Sequence, residues 1–173
     1  MAASINDYVA SARRDLDDPN PPAAVWSDAD LQRHVQHAVT EYQLWKPLEY
    51  LDAAHSLTAG SRTIDVSTIA GLVRVTAVEY PTGQWPPTYV QFQQFVTTLT
   101  LFLDGAPVAS DPLNVNLYCV IRHTVNTTSC TIDPADDEAI TAGAVYFAAL
   151  EQSVLTAGKV LATGPNTWLR YRE

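Results

Sequence analysis

Basic residues are few: ten Lys and Arg stand against nineteen Asp and Glu, a formal net charge of −9. A sequence-independent grip on nucleic-acid phosphates needs the opposite balance, so ordinary DNA binding is disfavoured. Like charge would still let a duplex pass close by without being held. Cysteine is scarce as well. Cys119 and Cys130 could pair by number alone, but the opening Met1-Ala-Ala-Ser-Ile-Asn-Asp7 has no basic segment leading into an apolar one. That points away from secretion and toward free thiols in a reducing compartment. Long apolar runs are missing too: the longest, residues 143–150, falls far short of the ~20 residues that cross a bilayer, so no membrane span is expected. Only seven glycines are present, and there is no phosphate-cradling glycine loop, dinucleotide fingerprint, GxSxG elbow or HExxH motif.

What is present fits a single domain: 173 residues suffice to bury roughly 70% of the unfolded surface without staples. All eleven prolines lie outside two windows of helical periodicity, residues 23–46 and 135–164. A first helix is expected over about residues 4–16, capped by Ser4, with Ile5, Tyr8, Val9, Ala12 and Leu16 on one face. Asp17-Asp-Pro-Asn-Pro-Pro22 ends it as a tight connector. A second helix, about 27–46, opens on Ser27 and Asp30 and carries the stripe Leu31, Val35, Ala38, Tyr42, Trp45. Between about 62 and 132 the period falls to 2, which predicts strands over 72–80, 88–92, 95–103 and 114–126 and a hairpin turn at Asp104-Gly105. In the last of these strands Val115, Leu117, Cys119, Ile121, His123 and Val125 share the inner face. The short connections make the sheet antiparallel. A third helix, about 134–162, begins at Asp133-Pro134 with Asp136, Asp137 and Glu138 at its positive end, and Ile140, Gly143, Phe147, Leu150, Val154, Ala157 and Leu161 form its core stripe. The class is therefore α+β: a helical bundle with an inserted antiparallel sheet over residues 1–164, followed by a tail over 165–173.

Residues that could carry chemistry have simpler explanations. His34, His37 and Glu41 share a helix face at spacings that could clasp a metal, but no second ligand cluster accompanies them, and they read as a solvated face. Cys119 reads as a small buried hydrophobe, inert because burial raises its pKa. His123 reads as a packing or sheet-edge residue, and the acidic run at 136–138 is accounted for by the helix dipole. No catalytic, cofactor or metal residue is assigned, and the chain is not expected to be an enzyme.

Three segments look built for contact. The far side of the third helix carries Ala142, Val145, Tyr146, Ala149 and Ser153 where a free surface would carry Lys, Glu or Gln. Gly143 there costs about 1 kcal/mol against alanine, which suggests another backbone close by, from the sheet or a neighbouring subunit. The loop Thr82-Gly-Gln-Trp-Pro-Pro-Thr-Tyr89 sets Trp85 and Tyr89 around the stiff Pro86-Pro87 pair, as a contact loop or a lid on its own core. The tail concentrates Trp168, Leu169, Arg170, Tyr171 and Arg172; Trp, Tyr and Arg dominate interface hot spots.

In this order and spacing, Trp26-Ser-Asp-Ala-Asp-Leu31 continuing to Ala38-Val-Thr-Glu-Tyr42, then Val78-Glu-Tyr-Pro81, then Ile132-Asp-Pro-Ala-Asp-Asp-Glu-Ala-Ile140 with Gly143-Ala144 resemble the head-tail adaptor (connector) family of tailed bacteriophages. The resemblance implies a homo-oligomeric ring of about twelve subunits in closed heterologous contact. It also implies a portal protein on one face, a tail or stopper protein on the other, DNA passing through the bore without sequence-specific binding, and a place in the virion neck after synthesis in the host cytoplasm. The outer face of the third helix would then lie between subunits, the tail would dock on the portal or a neighbour, and the Trp85 loop would face the tail side. Two readings compete: a small-molecule-binding or enzymatic α+β domain with a pocket near His123 and Cys119, and another minor virion protein such as a tail-completion protein.

Overall fold

The computed structural model of the protein describes residues 3–18 and 24–162, the last five of these by backbone alone. It is α+β, with three α-helices and two three-stranded antiparallel sheets. The elements are α1 (Ile5–Asp15), α2 (Asp28–Trp45), β1 (Leu48–Ser56), β2 (Thr63–Asp65), β3 (Leu72–Glu79), β4 (Phe92–Phe95), β5 (Thr98–Leu101), β6 (Asn114–Ile121), a 3-10 turn (Pro134–Asp136) and α3 (Asp137–Ala162). Two compact units result. One holds the helices, drawn from Met1–Trp45 and from Thr124 onward; the other is the continuous stretch Lys46–His123.

Helix starts follow the local chemistry. Ser4 Oγ accepts from the Asp7 amide at 3.4 Å while the Ser4 amide donates to Asp7 Oδ2 at 2.7 Å, a reciprocal capping box. Ser27 and Asp30 repeat the arrangement at 3.1 and 3.3 Å. Asp133 accepts from the Ala135 amide at 3.0 Å, and Pro134 opens the 3-10 turn that leads into α3. The acidic run at 136–138 does more than face a dipole: Tyr42 Oη donates to Asp136 Oδ2 at 2.7 Å and Tyr8 Oη donates to Asp137, so α2 and α1 are both pinned to the start of α3. Burial, and then the Asp137 contact, raise the Tyr8 pKa well above its usual range.

The helical core joins Ile5, Tyr8, Val9 and Ala12 of α1 with Leu31, Val35, Ala38 and Val39 of α2 and Ile140, Ala144 and Ala148 of α3. This corrects two expected stripes. On α2 the inward set is Leu31, Val35, Ala38 and Val39 with Tyr42 packed half-buried against it, and Trp45, 87% exposed, leaves the expected stripe. On α3 the inward row is Ile140, Ala144, Ala148, whereas Leu150 and Val154, expected inside, are exposed. The small residues win because they let two helix backbones approach. A Cβ on Gly143 would stand 2.9 Å from Ala38 Cβ, so the backbone close to Gly143 is that of α2 in the same chain. Gly143→Ala is accordingly expected to destabilise the helical unit by about 1–2 kcal/mol net of its helix-propensity gain. Ala38→Gly in the same chain should recover most of the loss in a thermal melt. A higher melting temperature for Gly143→Ala alone would refute the close approach.

In the other unit the sheets run β1-β6-β3 and β2-β5-β4. Val75, Val78, Val115, Leu117 and Cys119 of the first meet Ile64, Leu99 and Leu101 of the second in one apolar core. Strand β6 is the most clearly alternating segment in the chain and pairs on both sides, but it ends at Ile121, short of the expected 126. Strand β1 lies outside the expected sheet range, because of its nine residues only Asp52 is buried. The expected hairpin turn at Asp104-Gly105 is not one. Strand β5 pairs with β2 and β4, and β6 pairs with β1 and β3, so these residues lie in the loop that carries the chain from one sheet to the other. The tight hairpin is β4 to β5, where Phe95 pairs with Thr98 across Val96-Thr97, and Val96 takes φ 52°, a strained value for a β-branched residue.

Candidate functional site

The outer side of α3 carries a run of exposed apolar residues. Tyr146, Leu150 and Val154 follow at spacings of four and so form one row up the helix, about 12 Å long at 1.5 Å per residue. They are 60%, 48% and 65% exposed, and Leu155 beside them is half exposed. Ala142 and Ala149, expected on this side, are also exposed, while Val145 is half-buried against the helical core. From Ser153 to Ala157 every residue is exposed, so this part of α3 is open on all sides while still carrying Val154, Leu155 and Ala157. A helix face that is apolar and open to water is a candidate contact surface.

Alongside this face, Arg33 Nη2 donates to Glu151 Oε2 at 2.6 Å. His34 lies next to that carboxylate with Nε2 3.0 Å away, yet without the alignment of a hydrogen bond, and it meets Trp26 edge-on at 5.4 Å. We treat it as a packed, neutral imidazole: desolvation, and then the Arg33 charge, lower its pKa. His34 was expected on a solvated face and is buried, because it stands beside Val35 where α2 meets Trp26. His37 stays on the surface and stacks on Phe147 at 3.8 Å. Among the described residues no group of three or more His, Cys, Asp or Glu is placed to hold a metal ion.

The sheet unit has an exposed loop and an open groove. Trp85 is 92% exposed, with Pro86 exposed and Pro87 half-buried, so the loop presents its tryptophan outward instead of closing over its own core. Tyr89, at the end of the loop, packs edge-on against Tyr118 at 5.8 Å. Beside them runs a groove of about 440 Å³ lined by Glu49, Leu51, Thr76, Ala77, Tyr89 and Tyr118. Of the lining residues, Tyr118 is tied to Glu79, which accepts from Asn116 Nδ2 at 2.9 Å, Tyr118 Oη at 3.2 Å and the Gly83 amide at 3.3 Å. These donors, Asn116 first, lower the Glu79 pKa below 4.5, and the Tyr118 phenol is pushed up to about 12, first by its bond with Tyr89.

Glu79 is thus bound more tightly as the anion. Its contribution to folding should be complete above the ordinary carboxylate value and lost as pH falls through the lowered folded value. Glu79→Gln is expected to flatten the acid limb of stability as pH falls below about 4.5. Urea melts across that range check it, and an unchanged slope would count against the assignment.

The residues weighed for catalysis are otherwise engaged. Cys119 is buried, burial pushes its thiol up to about 11, and the Sγ–H points at the Leu117 carbonyl at 3.7 Å. His123 lies past the end of β6, with Nε2 2.8 Å from the Lys46 carbonyl oxygen. Both cysteines are free thiols. The proposed contact residues Trp168, Leu169, Arg170, Tyr171 and Arg172 lie outside the described residues.

No family model matches the sequence, and no curated protein matches it. Among solved structures, the chain is similar to one described as the neck of an empty GTA (gene transfer agent) particle computed with C6 symmetry. That match has 16% identity and a TM-score of 0.37, over 80% of this chain and 76% of the other. At that score the likeness is too loose to carry fold or function from one chain to the other.

Proposed function

We propose that this chain is a structural subunit of the neck of a tailed virus particle, a head-tail adaptor that forms a ring between portal and tail through which DNA passes. The observation that carries the reading is the exposed apolar row Tyr146, Leu150, Val154 on α3. In a lone chain that row is a liability in water; between neighbouring subunits it supplies the buried centre of an interface. The sequence resemblance to the adaptor family supplies the context. An excess of nine negative charges suits a bore that DNA must traverse without sticking. The exposed Trp85 loop is available for a second contact, which we place on the tail side. Neither Cys119 nor His123 is arranged as a nucleophile or a base, so the assembly reading is preferred to an enzymatic one.

Mass photometry and negative-stain imaging of the purified chain, alone and with the portal protein, test the proposal. Rings, formed alone or on meeting the portal, are the expected result. Monomers under both conditions at micromolar concentration would overturn it.

A further inference from the structure

Charge is divided unequally between the two units. Of the net −9, the helical unit holds −7, with thirteen Asp and Glu against six Lys and Arg, while Lys46–His123 holds −2, with six against four. Ion pairing divides the same way. Arg13, Arg14 and Arg33 of the helical unit each meet a carboxylate of that unit, at 2.6, 3.3 and 2.6 Å. In the sheet unit Arg62, Arg74 and Arg122 are exposed, and among the described residues their guanidinium groups have no ion pair or hydrogen bond. Arg122 stands against apolar surface. Its amide donates to the Gly71 carbonyl at 2.8 Å, which fixes it beside the start of β3. With Leu72, Val73, Gln94 and Val96 it lines a groove of about 370 Å³, and Val73 and Val96 are 48% and 75% exposed there. Val96 holds its strained φ in standing at this rim.

The outer side of α3 has the opposite composition. Glu138, Ala142 and Tyr146 follow at spacings of four and begin the ridge that Leu150 continues, with Glu138 about 12 Å before Tyr146 at 1.5 Å per residue. Glu138 is exposed, and among the described residues its carboxylate has no hydrogen bond or ion pair. One surface is therefore apolar with a free anion at its head, and the other is apolar with a free cation at its side. We propose that α3 of one copy packs on the Val73–Val96 groove of the next, with Tyr146 at the groove and Glu138 paired with Arg122. This inference rests on the ring reading above and names one of its contacts. Complementary charge draws the carboxylate-rich unit of one copy to the unpaired arginines of another and holds two helical units apart. Tyr and Arg are also the residue types that anchor interfaces. Groove and helix are different surfaces of one chain, so the contact is heterologous, the kind that closes a ring.

The test is a charge exchange in the full-length chain, read by sedimentation velocity over a concentration series. Arg122→Glu and Glu138→Arg should each weaken self-association by about tenfold or more, and the milder Arg122→Gln by less. Both positions are exposed, so every variant should melt within a few degrees of the parent. Arg122→Glu and Glu138→Arg combined in one chain should recover the rings, because every contact then carries the same pair with its signs exchanged. Two weakened single variants without recovery would overturn the pairing. Rings undiminished in Arg122→Glu would overturn the contact and leave the ring reading standing; loss of portal binding by that variant would then assign the groove to the portal. Failure of the parent to form rings with portal present would overturn the ring reading and this contact with it.

Discussion

Asp18→Ala is expected to cost the helical unit about 3–5 kcal/mol, a large share of the 5–15 kcal/mol that holds a typical domain together. Arg13 and Asp18 form a buried ion pair at 2.6 Å, with side chains only 7% and 2% exposed. The pair lies at the end of α1 and ties it to the entry of α2. Arg13 Nη2 donates to the Trp26 carbonyl at 2.9 Å and to Asp28 Oδ1 at 2.7 Å, while Asp18 Oδ1 accepts from the Val25 amide at 2.6 Å. Removing the carboxylate leaves the buried guanidinium with only the exposed Asp28 as counter-charge and frees the Val25 and Trp26 amides as well. Asp28 is the contrast. It touches the same guanidinium from a side chain 67% exposed, so Asp28→Ala should cost no more than about 1 kcal/mol. Urea denaturation of the two variants separates the cases, and similar midpoints would show that the Arg13–Asp18 pair is not the tie described here.

The largest effect on assembly is expected from Leu150→Glu combined with Val154→Glu. Both side chains are solvent-exposed in the single chain, so the double variant should keep its stability to within about 1 kcal/mol. In a ring that covers this row, two carboxylates per subunit would be taken out of water without partners. Ring formation should then weaken by about 100-fold or more, since each 1.4 kcal/mol is a factor of ten. Mass photometry over a concentration series reads the shift. Undiminished rings would remove this face from the interface, and a collapse in melting temperature would return Leu150 and Val154 to the core.

What could be read from the sequence was what neighbouring residues decide among themselves. Ser4 with Asp7, Ser27 with Asp30, and Asp133 with Pro134 mark their helices because a cap needs only residues three or fewer apart. Strand β6 was legible because it is paired on both sides and buries Val115, Leu117 and Cys119 in alternation, a pattern broken only at Val120. Strand β1 was not, since an exposed edge imposes no pattern. The Val96-Thr97 turn broke the usual turn chemistry, and Asp104-Gly105 followed it in the wrong place, because strand partners are set by tertiary pairing and not by the nearest turn signal. On α3 the side facing away from the core was read correctly at Ala142, Tyr146 and Ala149. Leu150, Val154 and Ala157 were assigned inside because they continue the alternating three-and-four spacing, whereas the close approach of Gly143 to Ala38 selects the row of small residues and the distal part of α3 is exposed. The Arg13–Asp18 pair and the Glu79 cluster gave no signal in one sequence, since each joins residues whose meeting depends on the completed fold.

The interrupted course of the helical unit sets the order in which the protein can mature. Lys46–His123 is one unbroken stretch and has all its strands once the ribosome has released it, whereas α1 and α2 are made first and must wait for α3, made last, before Leu31, Val35 and Ala38 find their partners. During synthesis those side chains stay open to water and to other chains. Early termination between His123 and Ala148 should therefore yield a polypeptide with a finished sheet region and a sticky, unclosed amino-terminal helix pair.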